Sequence, residues 1–151
     1  MPSQYRKTAT LSPTDAAYIA GLVDGEGTIS LSRRHRDDER QLVLSISNTE
    51  RPVLDFVLKT VGAGKITRKR TYSEQHSPGL TYAINNRQAL DLLHQIAPYL
   101  RTHKARRAKL VLDRYVELTP RNGKYTAELR QTREHWIRQF LAIGPRNAMK
   151  P

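Results

Sequence analysis

The sequence predicts an α+β domain in which an antiparallel sheet is covered by helices on one face, with an extra helix at the C-terminal end. Three observations lead there. A stretch of clean two-residue alternation around a polar connection marks one hairpin, and a second, less regular pair of alternating segments marks another. Helical periodicity precedes each pair, and beyond residue 86 it is the only pattern left. The resulting order of helix, two strands, helix, two strands and helices suits a sheet with its helices segregated to one side.

In chain order, "LSPTDAAYIA" is a helix start. Ser12 suits the N-cap, Pro13 the first helical position, and Asp15 stands three residues after the cap as in a capping box. "TISLSRR" follows, with Ile29 and Leu31 alternating with Thr28, Ser30 and Ser32, and "RRHRDDER" is its hairpin connection. "QLVLSIS" is the partner strand, with Leu42, Leu44 and Ile46 on one face and Gln41, Val43, Ser45 and Ser47 on the other. "ERPVLDFVLKTVGAG" carries Val53, Leu54, Val57, Leu58 and Val61 at helical spacing and closes on glycine. In the second hairpin, "KITRKRTY" and "GLTYAIN" flank the turn "SEQHSP". The alternation is weaker there, because Arg68 and Arg70 fall in phase with Ile66. "RQALDLLHQIAPYL" is a helix stopped at or near Pro98, and "HKARRAKLVLDRYVEL" is a basic one. After the loop "TPRNGKYT", a last helix carries Leu129, Trp136, Ile137, Phe140 and Leu141 and is broken by Gly144-Pro145. The expected organisation is an N-terminal arm over 1–11, a core over 12–118, a loop and helix over 119–144, and a disordered tail over 145–151.

The 151 residues suffice for one domain with a real core. Lys and Arg number 26 against 14 Asp and Glu, a net charge of +12, so a polyanion is the expected partner: nucleic acid first, an acidic membrane surface second. No apolar run of membrane-spanning length and no signal-peptide pattern is present, so the expectation is a soluble, intracellular protein with no membrane partner. The absence of cysteine excludes disulfides, thiolate zinc sites and a Cys nucleophile, and the five histidines show no paired metal-ligand spacing.

If helices cover the side bearing Ile29, Leu31, Leu42, Leu44 and Ile46, the other side presents Thr28, Ser30, Ser32, Arg34, Gln41, Ser45 and Ser47. A solvated sheet face is polar in any case. The Arg and Lys on and beside this one favour a nucleic-acid surface, since a two-stranded ribbon fits the DNA major groove and Gln, Ser and Arg can read base edges there. Residues expected at DNA are Ser30, Ser32, Arg34, Gln41, Ser45, Lys65, Thr67 and Lys69. Arg33, Arg36, Arg40, Arg68 and Arg70 are expected at its edges or on phosphates.

"GLVDGEG", residues 21–27, places Asp24 and Glu26 at the far end of the first helix, where the dipole disfavours an anion by up to about 1 kcal/mol. With its neighbours, "YIAGLVDGEGTI" resembles the signature of the LAGLIDADG homing endonucleases. "ISNTE", "GAGKI" and "APYLRTHKARRAKL" match later landmarks of that family, so the resemblance covers roughly residues 12 to 115 and leaves out the last helix. Independently of it, Ala17 and Gly21 make a small-xxx-small strip on which two helices can cross closely, inside one domain or between two.

The resemblance implies an αββαββα fold with a saddle-shaped sheet. It also implies a motif helix, including Ala17, Ala20, Gly21 and Asp24, that packs against its counterpart; with a single motif the active form would be a homodimer. Two copies of Glu26 would then meet, and like charges so close need cations. Glu26 stands at the family's metal-ligand position, where the consensus has Asp, and Gly25 would offer its backbone carbonyl. Asn48 falls where Gln is frequent and would order a water near the phosphate; a turn-forming Asn before a helix is the other reading. Lys104 matches the basic residue near the scissile phosphate, with a general phosphate clamp as the alternative. The implied activity is Mg²⁺-dependent double-strand cleavage of a long pseudo-palindromic DNA site leaving 3′ overhangs. Mn²⁺ could substitute, and Ca²⁺ would bind without supporting cleavage. Two alternatives stay open, an RNA-binding intron maturase and a DNA-binding regulator of the same fold that has lost catalysis.

Overall fold

The structure, a computed structural model, describes residues 7–68 and 79–145. It forms two compact units that divide between Leu100 and Arg101. The first contains α1 (Pro13–Glu26), β1 (Gly27–Ser32), β2 (Gln41–Asn48), α2 (Arg51–Val61), β3 (Lys65–Arg68), β4 (Leu80–Asn85), α3 (Asn86–Ile96) and a 3₁₀ turn over Ala97–Tyr99. The second contains α4 (His103–Leu118) and α5 (Ala127–Leu141). The fold is the expected α+β type.

In the first unit the four strands pair antiparallel in the order β1-β2-β4-β3, with β2 central and facing β4 across the two hairpins. Ile29 lies opposite Leu44 and Leu31 opposite Leu42, while Leu44 and Ile46 face Ile84 and Tyr82 on the other side. This row of apolar residues points to one face, on which α1, α2 and α3 pack. α1 contributes Ala16, Ile19, Ala20 and Val23, spaced 3, 4, 7 as one helical face requires. The Ser12 hydroxyl accepts from the Asp15 N–H at 3.2 Å, so the helix begins where the sequence places it.

Two glycines are needed for different reasons. Gly62 ends α2 in the left-handed conformation, with φ +77°, and its N–H returns to the Leu58 carbonyl. Gly27, at the junction of α1 and β1, is in ordinary extended backbone. A Cβ there would lie 2.7 Å from Val23 Cα and 2.9 Å from the Ser45 carbonyl oxygen. The helix turns directly into the sheet because nothing projects at that position.

β3 is an edge strand, and its residue Ile66 is only half-buried. Beside it the buried Tyr82 hydroxyl donates to the Ala63 carbonyl at 2.6 Å, and burial pushes its phenol pKa up. The arm before α1 is tied down on α3. The Gln95 side chain accepts from the Leu11 N–H at 2.7 Å and donates to the Ala9 carbonyl at 3.0 Å.

The second unit buries Val111, Tyr115, Trp136 and Phe140. Arg133 is also fully buried, which sequence periodicity does not announce because arginine is ordinarily exposed. It donates to the Leu118 carbonyl at 2.8 Å and the Thr119 hydroxyl at 2.7 Å, satisfying the end of α4, and its guanidinium lies over the Tyr125 and Trp136 rings. The turn "SEQHSP" and nearly all of the C-terminal tail lie outside the described residues.

Candidate active site and nucleic-acid interface

Glu26 is the last residue of α1 and is exposed. Its carboxylate accepts a 2.7 Å hydrogen bond from the Asn48 side-chain amide, at the end of β2. The amide oxygen of Asn48 in turn accepts from the Glu50 N–H at 2.8 Å, in the turn leading to α2. With one end of the amide facing a carboxylate and the other an N–H, its orientation is fixed by chemistry. Asn48 thus makes the turn, as one of its two readings expects, and it also holds Glu26, a contact that neither reading named. The helix-end electrostatics that disfavour an anion at position 26 are partly offset by this donor.

Gly25 lies in the same last turn of α1, where carbonyls have no helical N–H one turn further on. The space where its side chain would be is open. Asp24 is half-buried. Glu26 and the Gly25 carbonyl are hard oxygen donors of the kind Mg²⁺ or Ca²⁺ takes, so the residues fit such an ion in type. In number they fit only an ion that completes its shell from elsewhere. Among the described residues, no group of three or more His, Cys, Asp or Glu side chains could hold a metal.

On the motif helix, Ala17, Gly21 and Gly25 share an exposed strip, and nothing lies within 4 Å of a Cβ built at either glycine. Ala20, expected on the same contact surface, is instead fully buried, because it falls in phase with Ile19 and Val23 and packs toward the sheet.

The open sheet face runs across all four strands and is polar except at Val43 and Ala83. Register aligns Thr28 with Ser45, Ser30 with Val43, and Ser32 with Gln41; Ser45 with Ala83 and Ser47 with Thr81; Lys65 with Ala83 and Thr67 with Thr81. Of the expected DNA residues, Ser30, Ser32, Gln41, Ser45, Lys65 and Thr67 therefore lie together. Some of the hydroxyls interact across the sheet, Ser30 with Ser32 at 3.0 Å and Ser47 with Thr81 at 3.1 Å.

One expectation changes. β1 ends at Ser32, so Arg34 is an exposed residue of the β1–β2 connection and not part of the strand face. Arg68 pairs with Leu80, in phase with Ile66, and is exposed on the edge strand. Lys69 and Arg70 lie outside the described residues. Of the flanking arginines, Arg40 donates to the Leu31 carbonyl and Arg33 to the Arg36 carbonyl, both at 2.9 Å, so these two shape the loop. Register also adds Thr81 and Asn85 to the polar face, since Asn85 lies opposite Val43. The irregular alternation of the second hairpin had concealed them.

In the second unit, Lys104 is in the first turn of α4, its N–H bonded to the capping hydroxyl of Thr102 at 3.2 Å. That turn has no acidic residue, and Arg106 and Arg107 follow at once. Cations are disfavoured at a helix N-terminus, and anions are favoured.

An antiparallel four-stranded sheet with three helices packed on one face, and an acidic residue at the end of the first helix, defines an α+β fold of this strand order. Residues 13–97, more than half of the chain, match the LAGLIDADG-like domain, and the protein belongs to that family. No curated protein sequence matches it. Among solved structures it is similar to the homing endonuclease I-CvuI, crystallised with the I-CreI target in the presence of Mg with the DNA not cleaved. The TM-score is 0.71 at 20% identity, covering 87% of this chain and 82% of the other. It is also similar to the archaeal intron-encoded homing endonuclease I-Vdi141I complexed with DNA, with TM-score 0.59, 17% identity and coverage of 87% and 84%. A third match is the homing endonuclease I-TnaI, with TM-score 0.59, 20% identity and coverage of 87% and 88%. At these identities the likeness is one of fold. No helix among the described residues is long and apolar enough to cross a membrane.

Proposed function

We propose that the protein is a site-specific double-strand DNA endonuclease that works as a homodimer on a long pseudo-palindromic site, hydrolysing one phosphodiester per strand and leaving 3′ overhangs. The observation that carries this reading is the Glu26 carboxylate, exposed at the end of α1 and held by the Asn48 amide at 2.7 Å. A carboxylate at a helix C-terminus is disfavoured by the helix dipole. Lys104, a cation in the first turn of α4, is misplaced by the same reasoning with the sign reversed. Within the first unit, an acid placed against its helix dipole suits a divalent cation; within the second, a cation placed against its dipole suits a phosphate.

Glu26 and the Gly25 carbonyl would hold Mg²⁺, with Mn²⁺ as a substitute and Ca²⁺ as a binding ion that does not support cleavage. The ion, when bound, supplies an activated water and charge stabilisation at the phosphate. Asn48 keeps the Glu26 carboxylate in one orientation, so its geometry is set before DNA arrives. Lys104 would place its ammonium at the scissile phosphate. Thr28, Ser30, Ser32, Gln41, Ser45, Lys65 and Thr67 would face the groove, with Arg34 and Arg36 of the β1–β2 connection on the phosphates. The exposed strip of Ala17, Gly21 and Gly25 leaves room for a second motif helix at close backbone distance, bringing a second Glu26 and the ligands one chain lacks.

The test is Glu26→Gln on a duplex target recovered from a random library. Cutting in Mg²⁺ should be abolished while binding in Ca²⁺ stays close to wild type. Near-wild-type cleavage by the variant, or a wild type that binds intron RNA and never nicks DNA, would replace this reading with the maturase one.

A further inference from the structure

Asn85 occupies the N-cap of α3, a position where asparagine usually turns its side chain back onto the first helical N–H groups. Here it does not: no side-chain capping bond is made, and the residue keeps extended dihedrals, φ −135° and ψ 164°. The reversal into the helix falls on the next residue. Asn86, at φ +56°, is the only non-glycine with positive φ among the described residues, a conformation asparagine tolerates better than most. Because Asn86 takes the turn, Asn85 remains the last strand residue, exposed and paired with Val43.

That pairing sets the neighbourhood of its side chain. Gln41 lies two residues before Val43 on β2, hence diagonal to Asn85 on the same polar face. Gln41 and Asn85, with Asn86, Arg87 and Gln88, line one open pocket of about 290 Å³. Two exposed carboxamides at that spacing each present a donor and an acceptor side by side. This is the chemistry that grips adenine at N6 and N7.

We infer that Asn85 and Gln41 form a base-reading pair at the α3 end of the sheet, a specificity element of double-stranded DNA recognition set apart from Glu26. This rests on the DNA reading proposed above. It assigns to β4 a reading residue that the sequence alone does not single out. Since the Asn85 side chain caps nothing, removing it should spare the fold.

The experiment selects binding sites from a random duplex library in Ca²⁺, where no cleavage is expected, for wild type, Asn85→Ala, Gln41→Ala and Gln88→Ala, with thermal unfolding of each. Asn85→Ala should unfold like wild type and lose roughly 5- to 150-fold of base preference at one short block of the site. Gln41→Ala should alter the same block, and preferences elsewhere should not change. An Asn85→Ala profile identical to wild type, while Gln41→Ala changes its own block, overturns the inference and leaves the DNA reading intact. A wild type that enriches no duplex at all defeats the DNA reading and the inference with it. If Asn85→Ala loses folded structure, Asn85→Ser, which keeps a capping-competent side chain, is judged by the same profile.

Discussion

The two faces of the four-stranded sheet are made from the same strands, residue by residue in alternation, and yet they follow different rules. On the helix-covered face, Ile29, Leu31, Leu42, Leu44, Ile46, Leu80, Tyr82 and Ile84 are at most 6% exposed, and the choice of residue is governed by volume and fit. On the open face, Thr28, Ser30, Ser32, Gln41, Ser45, Thr81 and Asn85 are short polar groups whose packing demands almost nothing. The difference separates what makes the protein fold from what it can touch. Changes on the open face should alter partners and leave stability alone, and changes on the covered face should do the reverse.

The largest expected effect concerns the open face and its basic surroundings. If about 6 to 10 phosphates are contacted, DNA affinity should fall by roughly three to five decades between 50 and 200 mM salt, as measured by fluorescence anisotropy. A nearly flat response would show that this face is not a phosphate-binding surface.

The next effect compares the faces directly. Leu44→Ala should destabilise the protein by about 2 to 5 kcal/mol in urea titration, whereas Gln41→Ala should stay within about 0.5 kcal/mol. The opposite result would mean that β2 is displaced by one residue from the pairing described.

The smallest effect divides two glycines of the motif region. Gly27→Ala forces a Cβ against Val23 and Ser45 and should cost about 1 to 3 kcal/mol of stability. Gly21→Leu enters open space, so folding should be unharmed while the dimer, followed by light scattering, is lost. A wild-type monomer at micromolar concentration without DNA would remove the homodimer from the proposal.

Much of this was legible in the sequence because the signals were redundant. The first hairpin alternates cleanly on both strands, and the α1 start carries an N-cap serine, a first-turn proline and an acid in phase. α4 runs over the residues its periodicity marks. The second hairpin was harder, since β3 lies at the sheet edge and carries one half-buried apolar residue over Lys65–Arg68, and an edge imposes little pattern on its sequence. Ala20 was misplaced because a string of small residues does not say which of them faces in; only the phase set by Ile19 and Val23 decides that. Asn85 and Arg133 were invisible for a shared reason. Each does something unusual for its type, one leaving a helix uncapped and the other entering a core, and such departures are set by tertiary neighbours.

The bridge made by Asn48 leaves that position with a very short alphabet. Aspartate would set a second negative charge against Glu26, serine could not span both partners, and leucine, branched at the same carbon, would abandon both. Glutamine carries the right group one methylene too far for the turn to the Glu50 N–H. Any drift at residue 48 would therefore register twice, in the entry to α2 and in the aim of the Glu26 carboxylate, so the start of a structural helix and the orientation of the proposed catalytic acid are inherited together.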